Sequence, residues 1–171
     1  MPGAGKSTIG KALARQLELM FVDADQELVA QTGVPIATIF ELEGEAGFRQ
    51  REAQMLSLLC ARDGILLATG GGVVLQPENR LLLCQTGVVV YLHASLEHLW
   101  IRTRRDTRRP LLQAANPREV LQALLAVREP LYREVADVTV ETGRQGIGRL
   151  VRNIVAELNR QGVAPNNRRA D

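Results

Sequence analysis

A glycine-rich turn running straight into an amphipathic helix constrains this 171-residue chain more than any other feature. Residues 3–8 read Gly-Ala-Gly-Lys-Ser-Thr. The full pattern, G-x-x-x-x-G-K-[ST], lies between a buried strand and a helix. Gly5, Lys6 and Ser7 form the end of that pattern, and its opening glycine would fall one position before Met1. In such a loop the backbone N–H groups turn inward around phosphate oxygens, and the helix N-terminus adds favourable partial charge. The lysine reaches the β- and γ-phosphates and the hydroxyl binds Mg²⁺. An ordinary glycine-rich helix start is the alternative. The direct run of G-K-[ST] into Ile9, Leu13 and Leu17 on one stripe disfavours it.

The rest of the chain alternates short apolar runs with helical patterns. "LMFVDAD" reads as a buried strand ending near Asp23, "ILLATGGG" as a second, "VVVYL" as a third and "ADVTVET" as a fourth. Between them, helices are expected over Ser7–Leu19, "QELVAQTG" stopped by Gly33, "PIATIFELEG", and "EAGFRQREAQMLSLLCARDG". Further helices follow at "PENRLLLCQTG" with a glycine stop, Ser95 to about Arg104, Pro117–Glu134 and Ile147–Arg160. Strands alternating with helices imply a parallel sheet covered on both faces. "RRDTRRPLLQAANP" has no periodicity and reads as a mobile loop.

Composition narrows the class. With 46% hydrophobic and 23% charged residues the chain suits one globular domain, and a net charge of +2 gives no global pull toward nucleic acid. Cys60 and Cys84 lie far apart in apolar runs, which reads as two buried thiols in a reducing, cytoplasmic setting. No apolar run is long enough to span a membrane. His93 and His98 form no H-E-x-x-H pattern and read as structural or surface residues.

Four more stretches carry chemistry. Asp23 and Asp25 in "VDAD" stand at a strand's C-terminal end, where open α/β sheets gather ligands. Two residues apart, they point the same way if extended, toward one metal or one hydroxyl. Alternatively Asp25 caps the following helix. Arg49 and Glu52 in "FRQRE" are neighbours on one helix face; a surface ion pair of little worth is the plainer reading. Gly70–Gly72 permit close approach of backbone to a ligand, or form a tight turn. "RTRRDTRRPLL" could be a lid closing on phosphates, a solvated face, or a nucleic-acid patch, the last weakened by the lack of interleaved aromatics.

Taken together, GAGKST, DAD, FRQRE, ATGGG and RRPLL, followed by VREPLY and ADVTVET, resemble the shikimate kinases from the first residue to about Arg160. The resemblance implies a three-layer α/β P-loop kinase fold and transfer of the γ-phosphoryl of ATP to the 3-hydroxyl of shikimate, in aromatic amino-acid biosynthesis. It implies that Gly3, Ala4, Gly5, Lys6, Ser7 and Thr8 hold the phosphates of ATP, with Ser7 on Mg²⁺ and Asp23 near the metal through water. Asp25 is then the candidate base on the substrate hydroxyls. Arg49 and Arg128 hold the shikimate carboxylate, Gly71 and Gly72 approach the substrate, and Glu52 orients Arg49 or contacts substrate. Arg109 becomes the lid arginine over the phosphates, and Arg102 and Gln145 contact adenine. Arg104, Arg105 and Arg108 stay solvated charge.

The same resemblance implies a five-strand parallel sheet in the order 2-3-1-4-5, of which the last four strands lie in this sequence. The first, central strand is expected upstream of Met1, about 8–10 residues with the loop glycine. One kinase domain is expected over residues 1–161, with a substrate-binding segment near 24–51, a lid near 104–115 and a disordered tail over 162–171. A cytoplasmic monomer acting on ATP and shikimate, with no nucleic acid or membrane partner, is the expected setting. Two rivals stand beside it: a kinase of another small carboxylated polyol, such as gluconate, and a nucleotide binder without turnover.

Overall fold

The computed structural model describes residues 1–104, 116–143 and 145–162. Its elements run α1 (Lys6–Gln16), β1 (Met20–Asp23), α2 (Ala24–Thr32), α3 (Ile36–Cys60), β2 (Ile65–Ala68), α4 (Pro77–Thr86), β3 (Val90–His93), α5 (Leu96–Thr103), α6 (Pro117–Val135), β4 (Val138–Glu141) and α7 (Ile147–Arg160), with a 3₁₀ turn at Val73–Leu75. All four expected strands are present among the described residues, each four residues long.

Pairing is parallel. Met20 to Asp23 match Ile65 to Ala68, and Val90 to His93 match Val138 to Glu141. Among the described residues no ladder joins β2 to β3, so the strands form two separate pairs, β1-β2 and β3-β4. Between the pairs lies an apolar slot of about 750 Å³, bordered by Ile9, Leu13, Leu67, Tyr91, Leu92 and Ile154 and reaching Met1 at one end.

Helices cover both faces, because strand side chains alternate sides. Leu66 turns to the layer of α1 and α7, where Ile9, Leu13, Leu150, Ile154 and Leu158 are buried. Leu67 turns to the opposite layer, toward Leu56, Leu59 and Phe48 of α3 and, through β3, Leu99 of α5 and Leu121 of α6. Gly10 lets α1 lie close on the sheet: a Cβ there would meet Phe21 Cε2 at 2.6 Å and Leu66 Cδ2 at 3.4 Å.

Several local expectations shift. The first helix begins at Lys6 and ends at Gln16, short of Leu19. The two helices expected on either side of "ELEG" are one element bent at Gly44, whose φ of 69° is non-helical. Gly33 ends α2 in the left-handed region as expected, whereas Gly87 after α4 is extended. Asp23, not Asp25, caps α2 by accepting from the Asp25 N–H at 3.2 Å. Asp25 therefore sits in a first helical turn, and the two aspartates are not alternate residues of one extended strand. Cys60 and Cys84 are free thiols, half-buried rather than buried. His93 bonds Glu141 through Nδ1 at 2.6 Å. The expected lid beyond Arg104, with Arg105, Arg108 and Arg109, lies outside the described residues, as does the tail after Gly162.

Candidate active site

The glycine-rich turn is held in shape from below. Gly3 and Gly5 have φ of 75° and 90°, in the left-handed region that favours glycine. A side chain on Gly3 would meet Thr103 Cγ2 at 2.7 Å, because the turn lies directly on α5. From the last turn of α5, Arg102 donates Nη1 to the Gly3 carbonyl and Nη2 to the carbonyls of Thr142 and Gly143, each at 3.2 Å. One guanidinium thus ties the turn to the segment after β4. Ala4 is buried, while Thr8 is exposed on α1. Lys6 Nζ donates to the Met1 carbonyl at 3.2 Å. Ser7 Oγ donates to Asp23 Oδ2 at 3.0 Å, so the chain brings together the hydroxyl and the carboxylate assigned to the metal. Gln145 is exposed, and its Oε1 accepts from Asn153 at 3.4 Å.

The second half of the site is built on the turn after β2. Arg49, Glu52 and Arg128 are 9%, 7% and 4% exposed, far from the surface ion pair that spacing alone suggests. Arg49 donates Nη1 to Glu52 Oε2 at 2.7 Å and Nη2 to Glu45 Oε1 at 3.0 Å. Its guanidinium fills the space where a side chain on Gly72 would go. Glu52 and the Asp25 carboxylate fill the space beside Gly70. Over Gly71 stand the Tyr132 hydroxyl and Arg128 Nη1, 3.4 and 3.5 Å from a Cβ placed there, with Met1 Cα at 3.8 Å. All three glycines are therefore places where charged groups press on bare backbone.

The electrostatics follow from burial. Burial works against the charge on Arg49, but Glu52 and Glu45 outweigh it and its pKa is raised. Burial pushes the Glu52 carboxyl up, Arg49 pulls it down and loses, and Asp25 adds to the upward push. The net effect favours the charge on Arg49, whereas the desolvation cost falls on the Glu52 carboxylate and disfavours its charge. Arg128 Nε is buried with no hydrogen-bond partner among the described residues. Two guanidiniums flanking a glycine turn, one with an unanswered donor, suit a carboxylate on a small ligand. The Met1–Gly71 contact makes the phosphate turn and this arginine pocket share a wall.

Of the residues singled out from sequence, the structure gathers Asp25, Arg49, Glu52, Gly71, Gly72 and Arg128 at one turn, and Gly3, Lys6, Ser7 and Asp23 around the other. Gln145 is exposed, two residues beyond Gly143, whose carbonyl Arg102 links to Gly3. Sequence reasoning overlooked Glu45 and Tyr132 as members of the site. Glu45 lies four residues before Arg49, the spacing of a helical ion pair, and Tyr132 lies four residues after Arg128. Both were within reach of that rule.

Residues 2–159 match the family model for shikimate kinase. A shikimate kinase of Burkholderia pseudomallei is 53% identical over 161 residues, covering 94% of this chain and 88% of that protein. One of Aromatoleum aromaticum is 54% identical over 154 residues, covering 90% and 88%. The solved structure of shikimate kinase from Acinetobacter baumannii in complex with shikimate superposes with a TM-score of 0.90 at 46% identity, covering 94% of this chain and 90% of that one. With the phosphate turn, the buried arginine pair and the paired parallel strands already in place, these similarities show that the chain belongs to the shikimate kinase family.

Proposed function

We infer that this protein is an ATP-dependent kinase that transfers the γ-phosphoryl group of ATP to the 3-hydroxyl of shikimate. The observation that carries the substrate side is the buried pair Arg49 and Arg128 on the Gly70–Gly72 turn, beside the phosphate turn. A hydroxylated ring carrying a carboxylate fits there: the carboxylate between the guanidiniums, the hydroxyls toward Asp25.

In the reaction the 3-hydroxyl oxygen forms a bond to the γ-phosphorus while the bond from that phosphorus to the bridging oxygen of ADP breaks. The hydroxyl proton passes to the Asp25 carboxylate. Little covalent help is needed, because phosphoryl transfer depends on positioning and charge stabilisation. The N–H groups of residues 3–8 and the Lys6 ammonium surround the β- and γ-phosphates. Ser7 and Asp23, joined at 3.0 Å, suit a hard divalent cation with oxygen ligands, and Mg²⁺ held there would neutralise phosphate charge. Arg102 keeps the Gly3 carbonyl turned away from the phosphates.

The test is turnover, read as ADP release, with shikimate, gluconate and nucleoside monophosphates in parallel, beside calorimetric titration with ADP and shikimate. Release with shikimate alone is expected. Preference for gluconate would overturn the substrate reading, and binding without turnover would overturn the catalytic one.

A further inference from the structure

Tyr132 belongs to none of the groups that hold nucleotide, metal or the transferring phosphoryl, yet it is placed at the joint between two parts of the carboxylate pocket. Its hydroxyl donates to the Gly71 carbonyl at 2.5 Å, across 61 positions of sequence. It stands one helical turn after Arg128 on α6, and both approach Gly71 from the same side. The ring is fixed in turn. Tyr91 of β3 stacks on it with centroids 5.0 Å apart and planes at 28°.

We propose that Tyr132 is a positioning residue: its hydroxyl pins the Gly71 carbonyl and so sets the distance between the glycine turn and the Arg128 guanidinium. The proposal rests on the reading that Arg128 binds the substrate carboxylate. Burial, only partly offset by Arg128, pushes the Tyr132 phenol up, so it remains a hydrogen-bond donor at neutral pH. With the carbonyl tied to the phenol, the turn presents its N–H groups and not its oxygen to an anion. Without the tie, the Gly71 oxygen is free to turn toward Arg128 Nη1 and compete with the substrate for it.

The experiment compares Tyr132→Phe, Tyr91→Phe and Arg128→Ala in the full chain, with shikimate and with its methyl ester. Tyr132→Phe should raise the KM for shikimate about five- to tenfold, the scale of one buried hydrogen bond. The KM for ATP and kcat should change by less than about twofold, and the penalty should disappear with the ester, which gives Arg128 no charge to hold. The Tyr91 hydroxyl is buried without a partner among the described residues, so Tyr91→Phe should behave as the parent does. An unchanged shikimate KM in Tyr132→Phe, or an equal penalty on acid and ester, overturns the proposal. So does a variant that fails to fold or melts more than about 10 °C lower, since the hydroxyl would then serve the fold and not the pocket. Arg128→Ala separates the two levels. If it raises the shikimate KM steeply while Tyr132→Phe does not, only the role of Tyr132 falls; if it has no effect, the carboxylate reading falls and takes the proposal with it.

Discussion

Gly72 has ordinary backbone angles, so its requirement for glycine is purely one of space: the Arg49 guanidinium occupies the volume a methyl group would need. Gly72→Ala should displace that guanidinium from Glu52. The shikimate KM should then rise about tenfold or more, as for the loss of a charge-assisted contact in a dry site, with the ATP KM unchanged. Steady-state kinetics in both substrates checks this. Glu52 makes a different prediction. Burial holds its carboxyl above the usual range, so on acidification it takes up a proton before an exposed carboxylate does. Arg49 then loses its buried partner while the substrate is still anionic. The kcat/KM for shikimate should fall on the acid side at a pH above the ordinary glutamate range. Glu52→Gln should lower the plateau and flatten that acid limb; a limb that persists in Glu52→Gln would assign it to another group, Asp25 being the neighbour to test next.

Among the elements, α5 shows how one helix end ties the glycine-rich turn to the segment after β4. Its last turn offers both Nη atoms of Arg102 to the carbonyls of Gly3, Thr142 and Gly143, a divided set of acceptors that suits a guanidinium fork and not an ammonium. Arg102→Ala should raise the ATP KM several-fold and leave the shikimate KM within about twofold, and Arg102→Lys should recover little of the loss. Helix α3 makes the complementary point for the pocket. After its bend at Gly44, Phe48, Met55 and Leu59 pack with Val22 of β1 and Ile65 and Leu67 of β2, and Arg49 and Glu52 stand against the glycine turn. At φ 69° and ψ −174°, a region essentially confined to glycine, an alanine costs about 1–3 kcal/mol, so Gly44→Ala should lower the melting temperature by about 2–12 °C for a chain of this length. Thermal unfolding followed by circular dichroism would measure it.

At the scale of the molecule, the slot between β2 and β3 dominates. Both facing strands are parallel to their partners, both borders are apolar, and Met1 closes the end beside Gly71. Each unsatisfied backbone group on such an edge costs about 1–3 kcal/mol, and an unpaired edge invites association. An extended apolar segment running parallel to both strands and ending at Met1 would pair both edges and back the phosphate turn. A chain carrying about 8–10 added residues ahead of Met1, β-branched and closed by a glycine, should melt about 10 °C or more above the 171-residue chain and bind ADP more tightly. The same segment with a central proline should lose the gain, because it cannot donate to the ladder. Equal melting and equal shikimate-dependent ADP release with and without the segment would mean that the slot is filled in another way.

What the sequence by itself determined is whatever depends on neighbours along the chain. Strands at "VVVYL" and "ADVTVET", the helix after Lys6 and the break near Gly44 are legible because hydrophobic period, glycine and helix-start chemistry act within a few residues. The phosphate turn is legible for the same reason, and the linear order of GAGKST, FRQRE and ATGGG carried the family. Tertiary structure decided what depends on burial and on distant partners. Arg49 with Glu52 has the spacing of a surface pair, and only the closing of Gly70–Gly72 over it makes the pair buried and its charge consequential. Asp23 rather than Asp25 is the helix cap because β1 ends at Asp23 and α2 begins at Ala24, and Ser7 meets its other carboxylate oxygen. Tyr132 gained its place from an oxygen 61 positions away, a contact that no local period encodes.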